Sequence, residues 1–333
     1  MPDTRSTNGL AIEAAGLTKR YGEVLAVDNI SFDVGSGELF GFLGPNGAGK
    51  TTTINLLTGL ARLDAGTICI GGIDCTNNPK AAQHMVGTVP DESNLYPELT
   101  GFENLCFCAA LYGMRKTERQ ARARELLDTF ILADAADRKF AGYSKGMKRK
   151  LTFAAGIIHQ PPILFLDEPT TGIDVASARQ VRQIIANLHR KGTTIFLTTH
   201  YIEEAERLCE RIAFIVNGRI VRTDRTIDLL QPVKGMNVLV LSISDGGAKL
   251  PEEMTAAFPQ CQFQYTALGD IRVESAEPVN VGSLIRFLEE RDIQVTEARR
   301  HLPSLEDVFV QITGIEAGLM KKEKEKAGGG GNQ

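Results

Sequence analysis

The stretch that most constrains the fold is Gly44-Pro45-Asn46-Gly47-Ala48-Gly49-Lys50-Thr51, which follows the apolar run Leu39 to Leu43 and opens a helical pattern ending near Gly59. A strand that feeds a helix through a glycine-rich turn belongs to an α/β architecture, with the turn at the carboxyl edge of a largely parallel sheet. The turn also has a chemistry. Glycines let backbone N–H groups converge on phosphate oxygens, the helix N-terminus adds partial positive charge, and a lysine placed as Lys50 is reaches the β- and γ-phosphates. Thr51, followed by Thr52, offers its hydroxyl to Mg²⁺.

Apolar runs and helical patterns alternate from about residue 9 to residue 225. Leu39 to Leu43, Ile163 to Leu166, Thr194 to Thr198 and Ile212 to Val216 read as core strands, and Asn217-Gly218 as a two-residue hairpin turn. Shorter runs at Leu10 to Ala14 and Ile30 to Val34 predict a small antiparallel layer. Between Pro97 and Gln160 the strand pattern gives way to helices, two of them opened by capping boxes at Thr100/Glu103 and Thr117/Gln120. Beyond Gln231-Pro232 a strand-helix-strand-strand-helix-strand rhythm predicts a small ferredoxin-like unit. After Gly318 a Lys/Glu-rich stretch and four glycines predict a tail that buries no core.

Three further segments carry chemistry. Ile163 to Leu166 ends in Asp167-Glu168. A phosphate-bound Mg²⁺ needs an anionic ligand, which Asp167 supplies, and an in-line water needs an acceptor, which Glu168 supplies. His200 closes the strand Thr194 to Thr199, at the same sheet edge as Asp167 if the strands are parallel neighbours, where it would meet a γ-phosphate. Ser144 precedes an amphipathic helix, so its hydroxyl either caps that helix or joins Gly146 and the helix N-terminus in gripping a second phosphate. Lys145, Lys148, Arg149 and Lys150 add positive charge there.

Taken together these segments resemble the ATPase subunits of ABC transporters over nearly all of residues 9–225. Gly44 to Thr51 matches the family's Walker A loop, Asp167 its Walker B acid, Glu168 its catalytic base and His200 its switch histidine. Tyr21, in Lys19-Arg20-Tyr21-Gly22, matches the aromatic that stacks on adenine, and Asp174 looks like the D-loop aspartate. The resemblance implies an ATPase domain over 1–230 with a helical subdomain at about 97–160, while the change of pattern along the chain predicts the C-terminal domain over 231–316 and the tail over 317–333. It also implies ATP and Mg²⁺, and a head-to-tail dimer, with itself or with a paralogue, in which each chain's signature segment covers the other's nucleotide.

The chain departs from the family pattern in two places, the signature segment and Asp91. The signature usually reads Leu-Ser-Gly-Gly-Gln, and here it is Tyr143-Ser144-Lys145-Gly146-Met147. Ser144 and Gly146, the phosphate-facing pair, are retained. Tyr-Ser-Lys-Gly-Met and the C-terminal Ser304-Leu305-Glu306-Asp307-Val308-Phe309 resemble the drug-exporter and type-2 exporter branch, which pairs the ATPase with a separate membrane permease. Asp91 stands where the family has a glutamine that touches Mg²⁺ and water, so it is a direct or water-bridged candidate ligand.

Composition narrows the partners. A net charge of −4 over 333 residues, with no long basic block before the tail, argues against nucleic acid. The six cysteines show no Cys-x-x-Cys spacing, which argues against zinc or a disulfide framework, and with no N-terminal signal pattern they fit a cytoplasmic chain. No apolar window approaches the ~20 residues needed to cross a bilayer, so a membrane role requires a permease and a peripheral position beneath it. The competing readings are an ATP-switched regulatory module and an ABC ATPase without a permease.

Overall fold

A computed structural model describes residues 9–230, 237–244, 246–247, 249–266, 269–301 and 304–315. The chain divides into two compact units, one ending at Arg225 and taking up the chain again at Thr313, the other spanning Thr226–Ile312. The expected tail over 317–333 and the composition break at Gln231-Pro232 lie outside the described residues.

The first unit runs β1 (Leu10–Tyr21), β2 (Val24–Gly35), β3 (Leu39–Leu43), α1 (Lys50–Leu57), β4 (Ala65–Ile70), β5 (Ile73–Asp74) and β6 (Val86–Val89). It continues α2 (Gly101–Leu111), α3 (Lys116–Thr129), α4 (Lys145–Gly156), β7 (Ile163–Asp167), α5 (Val175–Arg190), β8 (Thr194–Thr199), α6 (Ile202–Leu208), β9 (Arg211–Val216) and β10 (Arg219–Arg225). Among the described residues its strands form two sheets, β2-β1-β4-β5 and β10-β9-β3-β8-β7-β6. The first is antiparallel. The second is parallel from β9 to β6, and β10 joins it antiparallel through Asn217-Gly218.

The burial of the strands explains their sequences. Every residue of β3, β7 and β8 is buried, which is why these strands read as unbroken apolar runs and not as alternating ones. The two sheets meet through phenylalanines: the Phe32 ring on β2 lies 5.9 Å from Phe40 and 5.6 Å from Phe196, centroid to centroid. Asn217 and Gly218 both take positive φ, 49° and 78°, as a tight turn matched to the strand twist requires.

The helices between β6 and β7 differ in how they begin. Thr100 forms a full capping box with Glu103. The box expected at Thr117 and Gln120 does not form: α3 starts at Lys116 with Arg115 as its cap residue, so Thr117 already has helical backbone and is too far into the helix to cap it. Asn104, fully buried, accepts from Tyr96 N–H and donates to the Tyr96, Leu99 and Thr100 carbonyls, fixing the loop ahead of α2.

The second unit contains α7 (Thr226–Leu229), β11 (Asn237–Ile243), α8 (Leu250–Ala257), β12 (Cys261–Tyr265), β13 (Ile271–Ser275), α9 (Val281–Glu289), β14 (Val295–His301) and α10, which ends at Thr313 (Leu305–Thr313). Its sheet is antiparallel in the order β12-β13-β11-β14. Leu239, Leu241, Phe263, Ile271 and Val273 from one sheet face pack with Leu250, Met254, Leu284 and Leu288 of α8 and α9. No helix among the described residues is long and apolar enough to cross a membrane.

Candidate active site

Parallel pairing of β3, β7 and β8 brings three loops to one sheet edge. Leu43 pairs with Thr199 and Asp167 with Thr198, so the glycine-rich turn, the two acids and His200 all leave the sheet together. Gly44 N–H donates to the Thr199 carbonyl at 3.3 Å, and Glu168 N–H to the Thr198 carbonyl at 3.1 Å. The hairpin turn props the loop from below: Gly218 N–H donates to the Ala48 carbonyl, and Asp28 N–H to the Gly218 carbonyl.

The loop is held in shape by its own chain. Gly49, the residue before α1, has φ 104°, and a Cβ there would meet the Ala26 carbonyl at 2.4 Å, so glycine is demanded by packing as well as by backbone. Lys50, 5 % exposed, donates to the Gly44 and Pro45 carbonyls at 2.8 and 3.0 Å. Thr51 is exposed on the first turn of α1 and Thr52 half-buried beside it. Pro45, Asn46 and Gly47 form the open rim of the loop.

The acids are buried and tightly partnered. Asp167 accepts from the Thr198 hydroxyl at 2.5 Å. Burial pushes its carboxyl above the ordinary aspartate value, and the hydroxyls of Thr198 and Thr51 only partly offset that. Glu168 sits at φ 48°, a left-handed conformation uncommon outside glycine. Its Oε2 lies 2.7 Å from His200 Nδ1 and accepts from the Thr171 hydroxyl at 3.1 Å. Lys50 Nζ stands 3.2 Å from Oε1 as a charge contact and not a directed hydrogen bond. Burial alone would raise the Glu168 carboxyl; the His200 hydrogen bond and the Lys50 charge outweigh it and hold the group below its ordinary value. An ionised Glu168 makes His200 Nδ1 the donor in this contact.

The signature segment serves its own chain first. Ser144 caps α4, accepting from Met147 N–H at 3.3 Å. A Cβ on Gly146 would meet Ser177 Oγ at 2.5 Å and Asp174 Oδ2 at 3.4 Å, so the missing side chain lets α4 approach the start of α5. Asp174 caps α5 through Ser177 N–H and Oγ, and these bonds hold its carboxyl below the ordinary value. Tyr143 O–H donates to the Ala135 carbonyl at 2.6 Å. Ser144, Lys145 and Asp174 remain exposed. Tyr21, 49 % exposed, ends β1 with Lys19 Nζ 5.3 Å from its ring centre.

Arg149 overturns one expectation. It adds no surface charge: 6 % exposed, it donates from α4 to the carbonyls of Pro90, Asp91, Asp167, Glu168 and Pro169. One guanidinium thus ties the loop that carries Asp91 to the backbone of both acids. Burial draws its pKa down, and Asp91, Asp167, Glu204 and Glu168 oppose the shift. The sequence held a signal for it. Gly146, Arg149, Phe153 and Gly156 recur at helical spacing, and all are buried. Glu204 was also missed. It is 4 % exposed and accepts from the hydroxyls of Thr170 and Thr199, joining the turn after Glu168 to the end of β8.

The donor set suits a phosphate-borne cation. Among the described residues no cluster of three His, Cys, Asp or Glu could hold a metal unaided. A hydroxyl and one or two carboxylates, as at Thr51, Asp167 and Asp91, are what Mg²⁺ takes when phosphates and water complete its shell.

Known proteins share this organisation. Residues 27–171 match the sequence profile of the family described as ABC transporter. The chain is 35 % identical over 322 residues to the daunorubicin resistance ATP-binding protein DrrA2 of Streptomyces coeruleorubidus, covering 92 % of this chain and 96 % of that protein. It is 34 % identical to the linearmycin resistance ATP-binding protein LnrL of Bacillus subtilis, over 91 % of this chain and 98 % of the relative. With the Nod factor export ATP-binding protein I of Paraburkholderia xenovorans the identity is 38 %, over 92 % and 98 % of the two chains. Among solved structures, an ATP-binding subunit of an ABC transporter superposes with TM-score 0.62 at 30 % identity, over 67 % of this chain and 93 % of that one. A dimeric ATP-binding cassette in a post-hydrolysis state, bound to ADP and Pi, gives TM-score 0.61 at 27 % identity, over 65 % and 98 %. A glycine loop, buried acids and a histidine on one sheet edge, in a chain matching such relatives nearly end to end, establish that it belongs to the ATP-binding subunits of ABC transporters, the family's ATPases.

Proposed function

We propose that this ATPase is the motor of an exporter, closing with a second ATPase chain on two MgATP and driving a separate membrane permease from the cytoplasmic face. The observation that carries the reading is the Lys50–Glu168–His200 cluster at the carboxyl edge of β3, β7 and β8. Lys50 and the loop amides from Gly44 to Thr51 would hold the phosphates, and Tyr21 would stack on adenine. Thr51, Asp167 and Asp91 would hold Mg²⁺, which would offset the negative charge of the phosphates. Glu168, kept ionised by its neighbours, orients the attacking water, and His200 turns Nε2 to the γ-phosphate. Ser144 and Gly146 reach the partner chain's phosphate, with Asp174 beside them.

Two observations support the partners. Ser144 is exposed at a helix N-terminus, where backbone N–H groups favour an anion. Tyr96, Phe107 and Leu111 are 50, 39 and 71 % exposed, with Tyr96 edge-on to Phe107 at 5.1 Å and Leu111 one turn along α2 from Phe107. An apolar patch of this kind on a folded surface marks a docking site, here for the permease. The relatives' names, resistance to daunorubicin and linearmycin and Nod factor export, favour an exporter.

The test is Glu168→Gln. It removes the proton acceptor and keeps the side chain's size, so phosphate release should fall by about a hundred-fold or more while MgATP still binds and drives dimerisation. Near wild-type turnover would remove Glu168 from the mechanism. An inactive wild-type chain that still binds MgATP with its permease present would favour the regulatory reading.

A further inference from the structure

β14 lies at one edge of the C-terminal sheet, with β11 as its neighbour among the described residues. Thr296, Glu297, Ala298, Arg299 and Arg300 are all exposed, so the strand is open on both faces. Its outer backbone presents a row of N–H and C=O groups, a template for another strand. The strand runs 7 residues without proline, and its register against β11 is regular from Glu297 to His301. Among the described residues neither Glu297 nor Arg299 has an ion-pair partner.

We propose that a second copy of this chain occupies that edge, β14 pairing antiparallel with β14 about a two-fold axis through Ala298. Symmetry limits the choices. Neighbouring pairs in an antiparallel ladder alternate between hydrogen-bonded and non-hydrogen-bonded types, so a two-fold axis normal to the sheet passes through a residue opposed to itself. Centring on Glu297 sets glutamate against glutamate, and centring on Arg299 or Arg300 sets arginine against arginine. Centring on Ala298 places Glu297 opposite Arg299 twice and Thr296 opposite Arg300, with a small neutral residue on the axis. Like charges directly opposed destabilise a ladder and unlike ones stabilise it, so among registers centred on residues 297 to 300 the charges select Ala298. Pairing there joins two four-stranded sheets into one continuous sheet. It needs no nucleotide, and so it stands or falls separately from the MgATP-dependent dimer.

Sedimentation of the full chain without nucleotide tests the pairing. The wild type should dimerise with concentration. Glu297→Arg or Arg299→Glu should each weaken the dimer by roughly ten-fold or more, and the double exchange should restore it. Opposed residues in an antiparallel pair lie about 4.5–5.5 Å apart at Cα, within disulfide reach. Ala298→Cys should therefore cross-link to itself on oxidation, above the level of the native cysteines, and Thr296→Cys should not. The pairing is overturned by a wild type that stays monomeric to roughly 100 µM. Charge reversal without effect, failure of the double exchange, or equal cross-linking at 296 would overturn it too. All four positions are exposed, so a normal thermal transition in each variant separates loss of pairing from loss of fold.

Discussion

Arg149 is where one residue controls the most chemistry. Its carbonyl partners belong to Pro90 and Asp91 on one side and to Asp167, Glu168 and Pro169 on the other. Glu168 is held left-handed by bonds at both ends of its peptide: its N–H donates to Thr198 and its carbonyl accepts from Arg149. Lysine keeps the charge and loses the fork, so Arg149→Lys leaves buried carbonyls unpaired at about 1–3 kcal/mol each and lets the acids shift. Displacements of that kind act on the chemical step more than on binding. Steady-state kinetics should show kcat down by about ten-fold or more with KM for MgATP changed by less than about three-fold. An unchanged kcat, or KM rising in step with the loss, would exclude the positioning role.

At the scale of the element, α4 does two jobs with one N-terminus. Ser144 satisfies a backbone donor within its own chain, and Gly146 lets α4 approach α5. The cap leaves the helix end exposed, so capping and phosphate binding are compatible there. Ser144→Ala should cost about 1 kcal/mol of stability by chemical denaturation, as loss of a cap does. In a Glu168→Gln background it should also weaken MgATP-dependent dimerisation beyond what that stability loss explains. If dimerisation is untouched, Ser144 is a cap alone.

For the whole molecule, two sheets meet through Phe32, Phe40 and Phe196, and helices α2 to α4 lie between β6 and β7 in the chain. The loop between β6 and α2 runs from Asp91, near the acids, to Tyr96, on the exposed apolar patch. That continuity connects the nucleotide edge to the proposed docking face. Leu111→Glu, at a residue 71 % exposed, should leave the ATPase activity of the isolated chain within about two-fold and reduce its recovery with membranes holding the permease. Loss of both together would place Leu111 in the fold and not in docking.

The sequence by itself determined the glycine loop, the acid-ended strand, the histidine and the hairpin, because each is written in residues close along the chain. The capping box expected at Thr117 failed for a related reason: local spacing marks a helix without fixing its first turn. Tertiary structure decided which groups meet. Lys50 and Glu168 approach through strand pairing, His200 reaches Glu168 across a neighbouring strand, and the hairpin at Gly218 turns out to support the Ala48 carbonyl. Arg149 shows the divide most sharply. Its residue type reads as solvated charge, and only the packing of α4 over the ends of β6 and β7 supplies enough carbonyl oxygens to stabilise a guanidinium out of water.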